Sequence, residues 1–257
     1  MSSLFFLPRL DSLDDTLATK ASALGFTVLR VPVFATEPGK DSLPLARRLS
    51  LLGDGVALAW TSRRAADSLA RSLAATRSSL PRFPMYALGE ESAAPLRRSG
   101  YAPLTLGEGA RAADLARFIA GRVAEDGVRR VIFLGGDRSL PDLPNGLEAA
   151  GIEVTRLEIY RTHFLNADVD GLMTCLANKD PVAAAFFSPS GVTGLERLLG
   201  AEAREQMHTR AAVIARGHTT ASDLMTRGYQ NIFTPEGALG FERVALDVLE
   251  ATCGERR

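Results

Sequence analysis

ALGEESAAPLRRSGY, residues 87–101, and ARGHTTASDLMTRGY, residues 215–229, carry one pattern twice. Gly89 aligns with Gly217, Ser92 with Thr220, Ala93 with Ala221, Leu96 with Leu224 and Gly100 with Gly228, each pair 128 positions apart. Upstream, WTSRRAADSL (60–69) overlays FFSPSGVTGL (186–195), with Ser62 on Ser188 at a spacing of 126. Two paired segments at nearly one spacing predict two homologous halves rather than a single wide sheet.

On either side of these segments, apolar runs alternate with helical patterns. LFFL (4–7) is followed by Leu13, Leu17, Ala21 and Leu24 at helical spacing, with Asp11 or Ser12 as cap and Gly25 as stop. FTVLRVPVF (26–34) reads as one β-branched strand, which makes the opening a strand, helix, strand unit. VALAW (56–60), MYALG (85–89) and RVIFLGG (130–136) each precede a helix-like segment, and VTRLEIYRT (154–162) reads as a long strand. VAAAFF (182–187), AAVIA (211–215) and NIF (231–233) repeat the grammar. Such alternation predicts an α/β protein with parallel sheets covered on both faces.

The first copy occupies the middle of the chain. The second needs an opening unit comparable to the stretch before Val56, and the spare one is residues 1 to 33. A discontinuous first domain follows, residues 1–34 with 165–257, around an inserted α/β domain at 38–158. The crossings, near 32–37 and 156–164, are extended and β-branched, and they are expected to pair as a two-stranded linker beside a ligand cleft.

Lys plus Arg and Asp plus Glu each number 30 in the 257 residues, so no global field draws the chain to nucleic acid or anionic lipid. Any anionic ligand must be met by local donors. At 46% apolar and 23% charged the composition is that of an ordinary soluble protein. Cys175 and Cys253 lack the spacing of a zinc site or a disulfide framework, and a reducing, cytoplasmic setting is expected. MSSLFFLPRLDSLDD, whose apolar run meets Pro8 and charges early, is not expected to act as a signal peptide, and no run reaches the roughly 18 apolar residues of a membrane span.

Ligands of doubly wound sheets lie at the carboxyl ends of strands. In FFSPSG, Ser188 would cap a helix starting at Pro189, and the backbone N–H groups near Ser190 and Gly191 would be open to an anion. In GHTTA, Gly217 leads to Thr219 and Thr220, which would cap the helix or meet a ligand, while His218 is a solvated loop residue or an acid–base group. TSRRA offers Ser62 and Arg64, and GGDR offers two glycines and Arg138, as carboxylate or phosphate contacts or as ordinary surface. Tyr160 would pack in the core or turn its hydroxyl to the cleft. GxGxxG and GxxxxGK[ST] are both absent, and no metal set stands out.

Taken in order, FFSPSGV, GHTTASDLMTRGY, ALGEESAAPLRRSGY, TSRRA and VTRLEIYRT resemble the uroporphyrinogen-III synthase family across nearly the whole chain. The resemblance implies two flavodoxin-like parallel-sheet domains joined by a two-stranded linker, the first discontinuous. It also implies dehydration and cyclisation of hydroxymethylbilane, without a cofactor, with inversion of ring D through a spiro intermediate. Tyr160 is then the candidate proton donor, with Ser62, Arg64, Arg138, Ser188, Ser190, Gly191, Gly217, Thr219 and Thr220 as substrate contacts. A monomer that meets hydroxymethylbilane synthase transiently is expected. LPRL keeps Arg9 where the family reads threonine-arginine-proline, and His218 stands where proline is common. A noncatalytic two-domain tetrapyrrole- or polycarboxylate-binding homologue is the alternative, and a tandem receiver-like protein is disfavoured because LPRLDSLDD lacks paired acids at the strand edge.

Overall fold

Two sheets organise the chain, one in each of two compact units: Met1–Ala35 with His163–Arg257 (unit 1) and Thr36–Thr162 (unit 2). The structure is a computed structural model, and it describes residues 3–8, 15–43, 45–107, 109–235 and 240–254. Arg9 and the cap expected at Asp11 or Ser12 lie outside the described residues.

In chain order the chain forms β1 (Ser3–Leu7), α1 (Asp15–Ala23), β2 (Phe26–Arg30), β3 (Phe34–Pro38), α2 (Leu45–Ser50), β4 (Val56–Trp60) and α3 (Arg63–Thr76). Then come β5 (Met85–Ala87), α4 (Glu90–Arg98), β6 (Leu104–Thr105), α5 (Ala112–Arg122), β7 (Arg130–Gly136), α6 (Asp142–Ala149) and β8 (Glu153–Phe164). The remainder is α7 (Asp170–Ala177), β9 (Val182–Phe186), α8 (Pro189–Glu196), α9 (Ala201–Arg210), β10 (Ala212–Ala215), α10 (His218–Thr226), β11 (Ile232–Phe233) and α11 (Phe241–Gly254).

Unit 1 holds the strand order β11-β10-β9-β1-β2, and the second sheet runs β3-β8-β7-β4-β5-β6. The pairs β1 with β2 and β9, and β4 with β5 and β7, are parallel. Strands with helices on both faces cannot alternate in polarity, and SLFFL, VALAW and VAAAF are buried at every position. In unit 1, Phe6, Ala184 and Phe186 serve one core and Phe5, Ala183 and Ala185 the other. In unit 2, Leu58 and Trp60 face one core and Ala57 and Ala59 the opposite one.

Laid over each other, the two orders match with β9, β10 and β11 in the places of β4, β5 and β6. Strands β1 and β2 take the places of β7 and β8. The opening unit β1–α1–β2 is therefore the counterpart of β7–α6–β8, which corrects the expectation that it matches the stretch before Val56. The copies are circularly permuted. A strand, helix, strand unit has the same local pattern wherever it stands in a sheet, so only the strand order separates the two cases.

FTVLRVPVF is two strands, not the single one expected. The Val31 N–H still donates to Leu7 O at 2.9 Å, but Pro32 has no N–H to continue that ladder. The chain leaves the first sheet there, and β3 joins the edge of the second beside β8. The expected two-stranded linker is thus part of the six-stranded sheet, extending its β8 edge.

Candidate active site

In unit 2 the candidate residues stand at the carboxyl ends of β4 and β7 and late in β8. Ser62 is the N-cap of α3 in extended backbone, and its Oγ accepts from the Ala65 N–H at 3.2 Å. The same Oγ lies 3.2 Å from the Tyr160 hydroxyl, with either group able to donate. A serine that starts a helix thus also anchors the phenol, joining two residues 98 positions apart.

Tyr160 is 8% exposed and belongs to the core that holds Trp60, Leu134, Leu157 and Ile159. Its ring gets there through an irregularity. Gly135 pairs with Glu158 but Gly136 pairs with Tyr160, so Ile159 is an extra residue in β8. Strict alternation would put Tyr160 on the face opposite Leu157 and Ile159; the bulge turns it onto theirs. A Cβ on Gly136 would fall 2.3 Å from Tyr160 Cε2, so the second glycine of GGDR leaves room for this ring. Gly135 is also confined, its Cβ position lying 2.8 Å from Phe133 Cε1 and Ser139 Oγ. The pair expected to open amides to an anion is used for packing, and the Gly136 N–H already donates to Ser139 Oγ at 2.7 Å.

Asp137 and Asp41 hold the bulged strand from its two sides. The Asp137 N–H donates to Tyr160 O at 3.3 Å and its Oδ1 accepts from the Thr162 N–H at 2.9 Å. Across the strand, the Asp41 N–H donates to Glu158 O at 3.0 Å and Asp41 Oδ2 accepts from the Glu158 N–H at 3.0 Å. Gly39 presses on the same peptide, its Cβ position being 2.3 Å from Glu158 O. Neither aspartate was a sequence candidate, since Asp41 is 117 residues from Glu158.

Burial pushes the Asp41 carboxyl up, but hydrogen bonds from Arg48 and the Glu158 amide, with the charges of Arg48 and Lys40, hold it below its ordinary 3.8. A depressed carboxyl stabilises the fold above its unfolded value, and that contribution is lost as pH falls through the folded one. The Glu158 amide proton shift should therefore titrate with a midpoint below 3.8 and lose that inflection in Asp41→Asn. A midpoint above 3.8 would contradict the assignment. Arg138 is exposed, with Nε 3.9 Å from Asp137 Oδ2, and Arg64 stands half-buried in the first turn of α3.

Unit 1 repeats the loop geometry. Ser188 is the N-cap of α8 with Pro189 at N1, as its sequence predicts, but its hydroxyl makes no capping bond. The Arg216 N–H donates to Phe186 O at 2.9 Å, as the Leu88 N–H does to Trp60 O at 3.2 Å, so the paired strand ends are tied alike. Gly217 is the N-cap of α10, in place of the threonines expected to cap it. Thr219 is exposed, whereas Thr220 is 4% exposed and Ser92, its counterpart, 6%. Ser190 is half-buried and Gly191 is buried, with Pro8 Cγ 3.4 Å from its Cβ position.

The structure therefore joins Ser62, Tyr160 and the Gly136–Arg138 turn in unit 2, and Ser188–Gly191 with Gly217–Thr220 in unit 1. A cavity of about 300 Å³ in unit 1 lies elsewhere, at the starts of β9 and β10, lined by Lys179, Gln206 and Arg210 among others. Among the described residues no group of three His, Cys, Asp or Glu could hold a metal ion, and no helix is long and apolar enough to cross a membrane.

The family model described as uroporphyrinogen-III synthase HemD matches residues 15–240. No curated protein matches the chain. Among solved structures, a mutant uroporphyrinogen III synthase from Thermus thermophilus is similar with a TM-score of 0.68 at 21% identity, covering 100% of both chains. The wild-type protein of that organism gives 0.54 at 23%, covering 100% of this chain and 99% of its own. The Helicobacter pylori uroporphyrinogen-III synthetase gives 0.56 at 15%, with 100% of both covered. At such identities the structural likeness establishes a shared fold.

Proposed function

This chain belongs to the uroporphyrinogen-III synthase family, and we propose that it is a cyclising hydro-lyase acting on hydroxymethylbilane. The reaction removes one water and closes the macrocycle with ring D inverted through a spiro intermediate. The observation that carries the reading is the Tyr160 hydroxyl held by the Ser62 N-cap at the carboxyl end of β4.

The chemistry asks little of the protein as acid or base. The electron-rich pyrrole expels its hydroxymethyl oxygen, which leaves as water once it has gained a proton, and loss of the pyrrole N–H proton leaves an azafulvene. Tyr160 O–H donates toward that departing oxygen while Ser62 fixes its direction. Because the azafulvene can also close without inversion, the protein acts chiefly by fixing conformation. Ser188, Ser190, Gly191, Gly217, Thr219 and Thr220 in unit 1, with Ser62, Arg64 and Arg138 in unit 2, are the proposed contacts for the substrate's carboxylates.

Tyr160→Phe keeps the ring and removes the proton. Turnover of enzymatically generated hydroxymethylbilane should fall roughly tenfold, with KM within about twofold. An unchanged kcat would remove Tyr160 from the chemistry. The burial of its ring favours a second reading, a binding homologue that holds the tetrapyrrole without converting it. Tight binding of hydroxymethylbilane with no faster consumption than in buffer would select that reading.

A further inference from the structure

We infer that Asp137 and Gly136, with Asp41 opposite, are positioning residues that set the aim of the Tyr160 hydroxyl. This rests on the catalytic reading of Tyr160 and extends it to residues that touch neither the phenol oxygen nor a substrate.

A β-bulge leaves one residue without a ladder partner, and such a strand can slip unless its flanking peptides are held. Here they are held on both sides. Asp137 brackets Arg161, giving its N–H to Tyr160 O and taking the Thr162 N–H on Oδ1 at 2.9 Å. Asp41 does the same one turn of the pleat earlier, with two 3.0 Å bonds to Glu158. Between these clamps the ring has one seat, over Gly136, where a methyl group would lie 2.3 Å from Cε2 and 2.5 Å from Cζ. Gly136 shows no positive φ, so its need is for space and not for a glycine-only conformation. The hydroxyl at the end of that seated ring meets Ser62.

Rotation of the ring by a Cβ at residue 136, or release of the Thr162 amide, moves the hydroxyl off its line without removing it. Misplacement of a reacting group by even about 1 Å can cost up to roughly a hundredfold in rate. The effect should fall on kcat, because the carboxylate contacts lie on other residues.

The experiment measures kcat, KM and the Tyr160 ring NMR shifts for Asp137→Ala, Asp137→Asn and Gly136→Ala, each alone and with Tyr160→Phe. Asp137→Ala should shift the ring resonances and lower kcat roughly tenfold with KM little changed. Asp137→Asn keeps an Oδ1 acceptor for the Thr162 N–H and should restore both. Gly136→Ala should move the ring as well; if that variant fails to fold, the Asp137 pair still decides. With Tyr160→Phe present, Asp137→Ala should lower kcat no further. Unmoved ring shifts in Asp137→Ala, equal damage from Asn and Ala, or an undiminished second loss would overturn the inference. Failure of the catalytic reading is seen separately, as full activity in Tyr160→Phe while the ring shifts of Asp137→Ala still report the clamp.

Discussion

Trp60→Ala is expected to lower the unfolding free energy by about 3–5 kcal/mol. Trp60 ends β4 with no exposed surface and packs among Leu58, Leu69, Leu96 and Tyr160. Its indole Nε1–H donates to Ser92 O at 2.7 Å, so truncation opens a cavity and also strips a buried carbonyl of its donor. Ser92 is the residue whose Oγ accepts from the Gly89 N–H at 3.0 Å and donates to Gly89 O at 2.8 Å, and the loss reaches the start of α4. Trp60 is the one tryptophan of the chain, so the measurement is denaturant unfolding followed by far-UV circular dichroism. A loss under about 1 kcal/mol would mean that the core of unit 2 is not packed around this indole.

Glu196→Ala should cost about 2–3 kcal/mol. Glu196 ends α8, its side chain is 13% exposed, and it takes His208 Nε2 at 3.0 Å from α9 and Arg227 Nη1 at 2.5 Å from the end of α10. Arg227 also reaches Asp223 at 2.9 Å and Thr193 Oγ1 at 2.8 Å. Those remaining partners, and an Arg227 side chain 28% exposed, place the expected cost below the full penalty of stranding a wholly buried charge. His208 meanwhile lies tilted against Tyr229 with ring centroids 4.3 Å apart, so losing Glu196 loosens three helices at once. The same denaturant series reads it, and a change within about 0.5 kcal/mol would show the cluster to be no more than solvated surface.

The repeat was the most informative signal in the sequence because its matched residues do matched work. Ser62 and Ser188 both begin helices, and Gly89 and Gly217 both stand at N-caps. Leu96 and Leu224 are both fully buried, and Gly100 and Gly228 both adopt positive φ, at 85° and 92°. Local pattern is enough for β4 and β7, whose ends coincide with VALAW and RVIFLGG.

What stayed hidden is long-range. No period in EVTRLEIYRTHF marks Ile159 as an extra residue, because a bulge shows itself only against the partner strand. Asp41 gives no local sign of holding Glu158, and GGDR resembles an anion loop until the Tyr160 ring is seen over Gly136. His208 gives no local sign of its carboxylate partner, which lies on another helix. The circular permutation was hidden for a similar reason: the order of strands in a sheet is not written in any one of them.

Inversion of ring D is the proposed outcome of the reaction on this chain. Hydroxymethylbilane made in the same tube would be incubated with the chain, the products oxidised, and the uroporphyrin isomers resolved. Isomer III in clear excess is the expected result, and isomer I alone, as forms without protein, would contradict it.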